Sequence, residues 1–271
     1  MAKITDQDRS AYQEKIKKYT TAVDSLLNTE KKILGEISKN PNDAPMRKLG
    51  LVDEMLNLAS NYIAINGVSQ AVLKTKNEEA LNDGRKSMYK AVIYLEEIVS
   101  NYVDAPFSEY EEKLTAIESF DPNQRYDMVR KMGLAIDLLE RAYGDNSKWR
   151  WTFVDLEGRF AATAKNIIDL RRALENSSPE SPYYDSTVYH LRLIKKLLMQ
   201  SADRCREKYE LSTSQTSDFK MGISFLAALK RLHGILAESE DAEATKKKLT
   251  IWTTKLDSDT KRQEEARKRL G

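Results

Sequence analysis

The sequence predicts an all-α fold, and three observations carry that expectation. Apolar residues recur at alternating steps of four and three along several long stretches, the spacing of one helix face. Only six prolines and ten glycines interrupt 271 residues. Charged residues make up 32% of the chain, enough to coat the outward faces of many helices and a poor fit to sandwiches or barrels. The expected architecture is eight to ten mostly antiparallel helices. They would form an extended helical bundle or a short α-solenoid of about three related three-helix units.

The spacing predicts a first helix from about Asp6 to Lys39. Its seam is Tyr12, Ile16, Tyr19, Val23, Leu26, Ile33 and Ile37, with Glu30 as the polar interruption. At 1.5 Å per residue it would be about 50 Å long and coiled-coil-like. Asn40-Pro41-Asn42-Asp43 stops it. A second helix starts near Asp43 or Ala44, with Pro45 suited to a first turn, and Asn66-Gly67 reads as its terminator. Val68 to Lys76 reads as either a short helix or a folded connection.

A third helix is expected from about Asn77 to Val103, seamed by Leu81, Met88, Val92, Leu95, Val99 and Tyr102, with Arg85 as its polar member. Ser108-Glu109-Tyr110-Glu111 reads as a capping box opening a short helix that ends at Asp121-Pro122. The next helix runs from about Asn123 to Tyr143, and Gly144 stands where a C-terminal cap would. A long helix from about Ser147 to Asn176 follows, on Trp149, Phe153, Leu156, Phe160, Ile167, Leu170 and Leu174, with Thr163 polar. After the turn at 177–182 come helices of about Tyr183 to Tyr209 and Ser217 to Ala237. A final helix carries Leu249, Trp252 and Leu256.

One short pattern is written three times: Lys48-Leu49-Gly50-Leu51, Lys131-Met132-Gly133-Leu134 and Lys220-Met221-Gly222-Ile223, with glycines 83 and then 89 residues apart. Repeat units would begin near residues 44, 123 and 217 within a single helical domain over 1–256, and residues 257–271 would be a basic, polar helix end or tail. Glycine inside a helix costs about 0.5–1 kcal/mol relative to alanine. Its recurrence points to close helix approach, with Trp149, Trp151 or Trp252 as the group let in. Gly35, Gly84 and Gly158, helical but lacking the flanking pattern, favour the alternative of tolerated glycines.

Little in the sequence marks catalysis. His190 and His233 are the only histidines, and neither lies in a Glu-x-x-His or His-x-x-x-His arrangement that would set two metal ligands on one helix face. Both are expected to be structural or solvated. Cys205 lies between Arg204 and Arg206, but adjacent helix positions diverge, which leaves a half-buried thiol. Asp257-Ser258-Asp259 begins like a calcium loop and then lacks the glycine and the later acidic ligand. There is no nucleophile elbow, phosphate-binding glycine loop or dinucleotide fingerprint. The expectation is a non-enzyme with no catalytic residues, cofactor or metal.

Binding surfaces are more legible. Residues 246–271 hold nine Lys or Arg and four Asp or Glu, a net +5 in a chain of net +2. The candidate contacts there are Lys246, Lys247, Lys248, Arg267, Lys268 and Arg269. Trp151, off the seam and next to Arg150, is the other candidate, since Trp and Arg are enriched at binding hot spots. The leading expectation is a non-catalytic scaffold or adaptor that binds protein partners, a second copy of the chain among the candidates. The alternative is binding of nucleic acid or an anionic surface through the basic segment. Cys205 is the only cysteine, the start lacks a signal-peptide core and no apolar run reaches about eighteen residues, so a cytoplasmic location without a membrane span is expected. Tyr184-Asp185-Ser186-Thr187 and Leu249-Thr250-Ile251-Trp252-Thr253 each resemble phrases of the 14-3-3 proteins. They stand too far apart in this chain, without that family's phosphate pocket, and no family is assigned from them.

Overall fold

The computed structural model describes residues 4–144 and 147–270, with the side chains of 266, 267, 269 and 270 left out. Among the described residues the chain is all-α: ten α-helices, no strand, and 84% of residues helical. The helices are α1 Asp6–Lys39, α2 Ala44–Leu73, α3 Glu78–Ile98, α4 Glu111–Thr115, α5 Pro122–Tyr143, α6 Arg150–Asn166, α7 Leu170–Glu175, α8 Tyr184–Lys208, α9 Thr216–Ile235 and α10 Ser239–Leu270. They divide into two compact units, Met1–Ser100 with Glu112–Leu156, and Asn101–Glu111 with Glu157–Gly271.

In the first unit α1 begins as local chemistry dictates. Thr5 accepts a hydrogen bond from the Asp8 amide at 3.2 Å while the Asp8 carboxylate accepts from Thr5 N at 2.9 Å, a reciprocal capping box. Tyr12, Ile16 and Val23 of its seam are buried. Near the start of α1, Tyr12 and Ile16 pack with Ile65 of α2 and Ala80 of α3. α5 opens with a second capping box, Asp121 with Gln124, and Pro122 fills the first turn.

Four boundaries differ from the expectation. α2 does not stop at Asn66-Gly67. Asn66 is buried, its side chain accepts a hydrogen bond from Asn77 N at 2.9 Å, and the helix runs on to a left-handed Lys74 at φ 56°. α3 ends at Ile98 rather than Val103. The capping box at Ser108 does not form: Glu111 instead pairs with Arg171 at 2.8 Å, and an ion pair has replaced the cap. The long helix expected over 147–176 breaks after Asn166, because the Asp169 carboxylate caps a new helix by accepting from the amides of Arg171 and Arg172.

In the second unit α9 packs between α8 and α10. Tyr209 stacks on Phe219 at 5.0 Å between centroids, and Phe219 tilts against Trp252 at 5.5 Å. At the end of α8 the helix widens into a five-residue π turn, Tyr209–Thr213, and closes at a left-handed Ser214. Tyr209 donates to Asp259 of α10 at 3.0 Å, which ties that turn to its neighbour.

The thrice-written glycine does not have one role. A Cβ at Gly222 would lie 2.9 Å from the carbonyl oxygen of Ala202 and 3.4 Å from the Trp252 ring, while one at Gly50 would meet nothing within 4 Å. Close approach therefore holds at the α8–α9–α10 contact and fails at α2. Gly158 is as tight without the pattern, 3.1 Å from the Phe225 ring. Gly222→Ala should lower unfolding free energy by about 1–3 kcal/mol, the cost of overpacking. Gly50→Ala should raise it by about 0.5–1 kcal/mol. Urea titration of the two variants checks both signs.

Candidate functional site

The sequence-predicted contacts scatter. Arg150 and Trp151 open α6, with the Arg150 guanidinium 4.8 Å from the Trp151 ring centroid; Arg150 is exposed and Trp151 half-buried. The lysine triplet lies on α10. Lys246 pairs with Glu243 at 3.1 Å and Lys248 with Asp203 at 2.8 Å, and the Lys248 ammonium also sits 5.0 Å from the Trp252 centroid. Lys247 and Lys268 are exposed; Arg267 and Arg269 fall outside the described side chains. Trp252 itself is core, 2% exposed.

Each unit instead buries a polar centre. In the first unit the Glu30 carboxylate, buried on the seam of α1, accepts two hydrogen bonds from Lys90 at 2.9 Å and one from the Tyr94 hydroxyl at 2.7 Å. Burial, then the Glu30 hydrogen bond and charge, push the Tyr94 phenol well above its ordinary range. In the second unit Lys165 is 5% exposed, with its ammonium 2.5 Å from Asn166 Oδ1 and 3.3 Å from the Tyr110 hydroxyl. Burial pulls the Lys165 amine down to about 8 and the Tyr110 phenol up to about 12. A low-pKa buried amine is the kind of group that forms covalent adducts with carbonyls. The cavity beside it, however, measures about 10 Å³, room for about one water. Substrate-sized sites run to about 300–1,000 Å³.

A larger cleft of about 680 Å³ lies in the first unit against Lys76, Tyr143, Lys148 and Trp149. Lys76 there donates to the Tyr143 carbonyl at 2.6 Å, closing the C-terminal end of α5. Its rim includes Gly144 and Ser147, which flank the undescribed residues 145 and 146 in sequence, so no site is assigned to it.

A third group collects at the turn between α9 and α10. Ala237 is left-handed at φ 57°, Glu238 N bonds to His233 O at 2.9 Å and Ala237 N to Gly234 O at 3.3 Å. That pairing is a Schellman turn, which sets the side chains five residues apart against each other. Here they are His233 and Glu238, with Nδ1 to Oε2 at 2.6 Å. Asp241, one turn into α10, completes a set whose ligand atoms all lie within 4.8 Å of one another. The sequence reading missed it because it sought ligand pairs within one helix, and this spacing spans a turn.

The outward face of α5 exposes two large apolar side chains one turn apart. Leu134 is 58% exposed and Leu138, one turn on, 44%. Arg130 pairs with Asp127 and Arg141 with Asp137, each at 3.0 Å, so charged residues frame the two leucines with their charges locally matched.

The profile of the TP0443 family matches residues 8–260, and the chain belongs to that family. No curated protein and no solved structure matches it. No described helix is long and apolar enough to cross a membrane.

Lys165 gives the fold a defined pH dependence. The folded chain releases this proton near pH 8 and the unfolded chain near 10.5. Between those values the unfolded state binds more protons, so stability rises with pH. The contribution is on the order of 3 kcal/mol at most. Above about pH 10 the ionising tyrosines of the unfolded chain reverse the trend, because burial holds Tyr110 protonated in the fold. In Lys165→Met the rise should vanish. Urea midpoints of both proteins from about pH 7 to about pH 10 measure the difference.

Proposed function

We propose that this TP0443-family chain is a non-catalytic helical scaffold that docks a protein partner on an outward helix face, with a second copy of the chain as one such partner. The observation that carries the reading is the Leu134–Leu138 ridge of α5, exposed at 58% and 44%. A single exposed leucine calls for no explanation. Two leucines at i and i+4 make a continuous apolar strip about one turn long, the anchor geometry of helix-in-groove recognition. The matched pairs Arg130–Asp127 and Arg141–Asp137 supply the polar rim usual around such anchors.

One further fact supports a binding role. Trp151, half-buried under the Arg150 guanidinium, offers a second anchor of the kind enriched at interfaces. The reading in which α10 binds nucleic acid or an anionic surface has weaker support, because Lys246 and Lys248 are already engaged by Glu243 and Asp203.

The test is a Leu134→Glu/Leu138→Glu variant. Both positions are exposed, so its melting temperature should stay near that of the parent, within the shift expected for about 0.5 kcal/mol per surface site. Light scattering should give the parent a concentration-dependent mass above 31.0 kDa, or affinity capture should retain a partner, and the variant should lose either one. A parent that stays monomeric at every concentration and captures the same proteins as the variant overturns the reading.

A further inference from the structure

We infer that the turn between α9 and α10 is a binding site for a divalent transition-metal ion, with His233 Nδ1 and one carboxylate oxygen each from Glu238 and Asp241 as ligands. The inference is independent of the docking face on α5. It rests on how the backbone delivers the three groups. His233 lies in the last turn of α9, Glu238 follows the left-handed Ala237, and Asp241 lies in the first turn of α10. All three come from one nine-residue segment, so little chain entropy is lost in bringing them to a point.

The distances suit a small ion. Bonds of about 2.0–2.1 Å in a tetrahedral shell set ligand atoms about 3.3 Å apart. The three present atoms lie within 4.8 Å of one another, and His233 Nδ1 and Glu238 Oε2 are in hydrogen-bond contact at 2.6 Å. Movements of about 1 Å bring all three onto one centre. Metal insertion replaces that hydrogen bond, the Nδ1 proton leaving to Nε2 or to solvent, and water completes the coordination shell.

The second oxygen of Glu238 has its own role. Oε1 accepts from Lys195 of α8 at 2.6 Å, which leaves Oε2 as the oxygen turned to the histidine. A carboxylate held this way, one oxygen on an outer hydrogen-bond donor and the other inward, is the usual support of a metal ligand. Burial raises the Glu238 pKa, but the hydrogen bonds and charges of Lys195 and His233 outweigh it and hold the carboxyl below its ordinary range. His233 is 7% exposed, so its imidazole is fixed before any ion arrives.

One imidazole with two carboxylates selects among metals. Calcium and magnesium favour all-oxygen shells, whereas imidazole suits zinc, copper, iron and nickel. Zinc is the probe, and cobalt its coloured substitute. Metal-stripped full-length chain is titrated with Zn²⁺ against a chromophoric chelator, then with Co²⁺ while visible d–d absorption is read. The expected result is one ion per chain with a cobalt band of low symmetry. Affinity should fall as pH is lowered, as ligand protonation competes with the ion.

His233→Gln and Asp241→Asn should each lose more than the roughly hundredfold typical of an outer-shell partner, and Lys195→Met should lose about ten- to a hundredfold. Asp241 is exposed, so Asp241→Asn keeps the test valid if His233→Gln disturbs packing, and circular dichroism checks the helices of both. Absence of the cobalt band overturns the site. So does zinc affinity in His233→Gln and Asp241→Asn equal to that of the parent, or an equal loss in the control Glu243→Gln.

Discussion

The first unit depends on a carboxylate that the fold has taken out of water. Glu30 sits inside a 34-residue helix at 4% exposure, and a charge so placed destabilises the fold by several kcal/mol unless it is met by charge and hydrogen bonds. Lys90 and Tyr94, one turn apart on α3, supply both. Near the other end of the pair, the Tyr12 hydroxyl of α1 accepts from the Asn77 side chain at the start of α3. Eighteen residues separate the anchors on α1, and thirteen to seventeen on α3, comparable spans of about 20–27 Å. The two helices therefore run parallel, with α2 antiparallel to both. A one-turn slip of α1 would leave Glu30 buried without its lysine, and so the ion pair selects register where an apolar seam alone would tolerate sliding.

The polar members of the seams were visible in the sequence, and their partners were not. Glu30, Arg85 and Thr163 each interrupt a four-three run. Each has a different answer: an ion pair from another helix, the face of Trp149 at 4.2 Å, and the carbonyl of Phe160 at 3.0 Å within the same helix. Periodicity reports which face is buried, since that face is mostly apolar. It carries no information on which residue tens of positions away completes a hydrogen bond. The same limit explains the boundary errors. Asn66-Gly67 has the composition of a terminator, but a buried partner at Asn77 keeps Asn66 helical. Ser108 has the composition of a cap, but Arg171, sixty residues on, claims Glu111.

Local chemistry was legible where it closed on itself. α1 ends at Lys39 and α5 at Tyr143, at the Asn-Pro and Gly signals that any helix obeys. The metal-type cluster at the α9–α10 turn is the instructive exception. Its three residues are near neighbours, yet the spacing is unreadable without the left-handed Ala237, because alanine rarely takes that conformation and gives no signal that it will. A glycine there would have announced the turn.

The second unit shows what the repeated glycines can and cannot mean. Gly222 is required because the Ala202 carbonyl and the Trp252 ring come within contact of it, and the stack Tyr209–Phe219–Trp252 closes the core on that side. Gly50 occupies the same place in its short pattern with open space around it. A pattern of four residues thus coincides without a shared contact, and physical need must be read from the neighbour. The same logic bears on association. The seam of α1 buries Tyr12, Ile16 and Val23 within one chain, so that part of the seam is already used in internal packing. Any surface left for a partner must be one that the internal packing does not need, and on α5 Leu134 and Leu138 are two apolar residues that face away from the core.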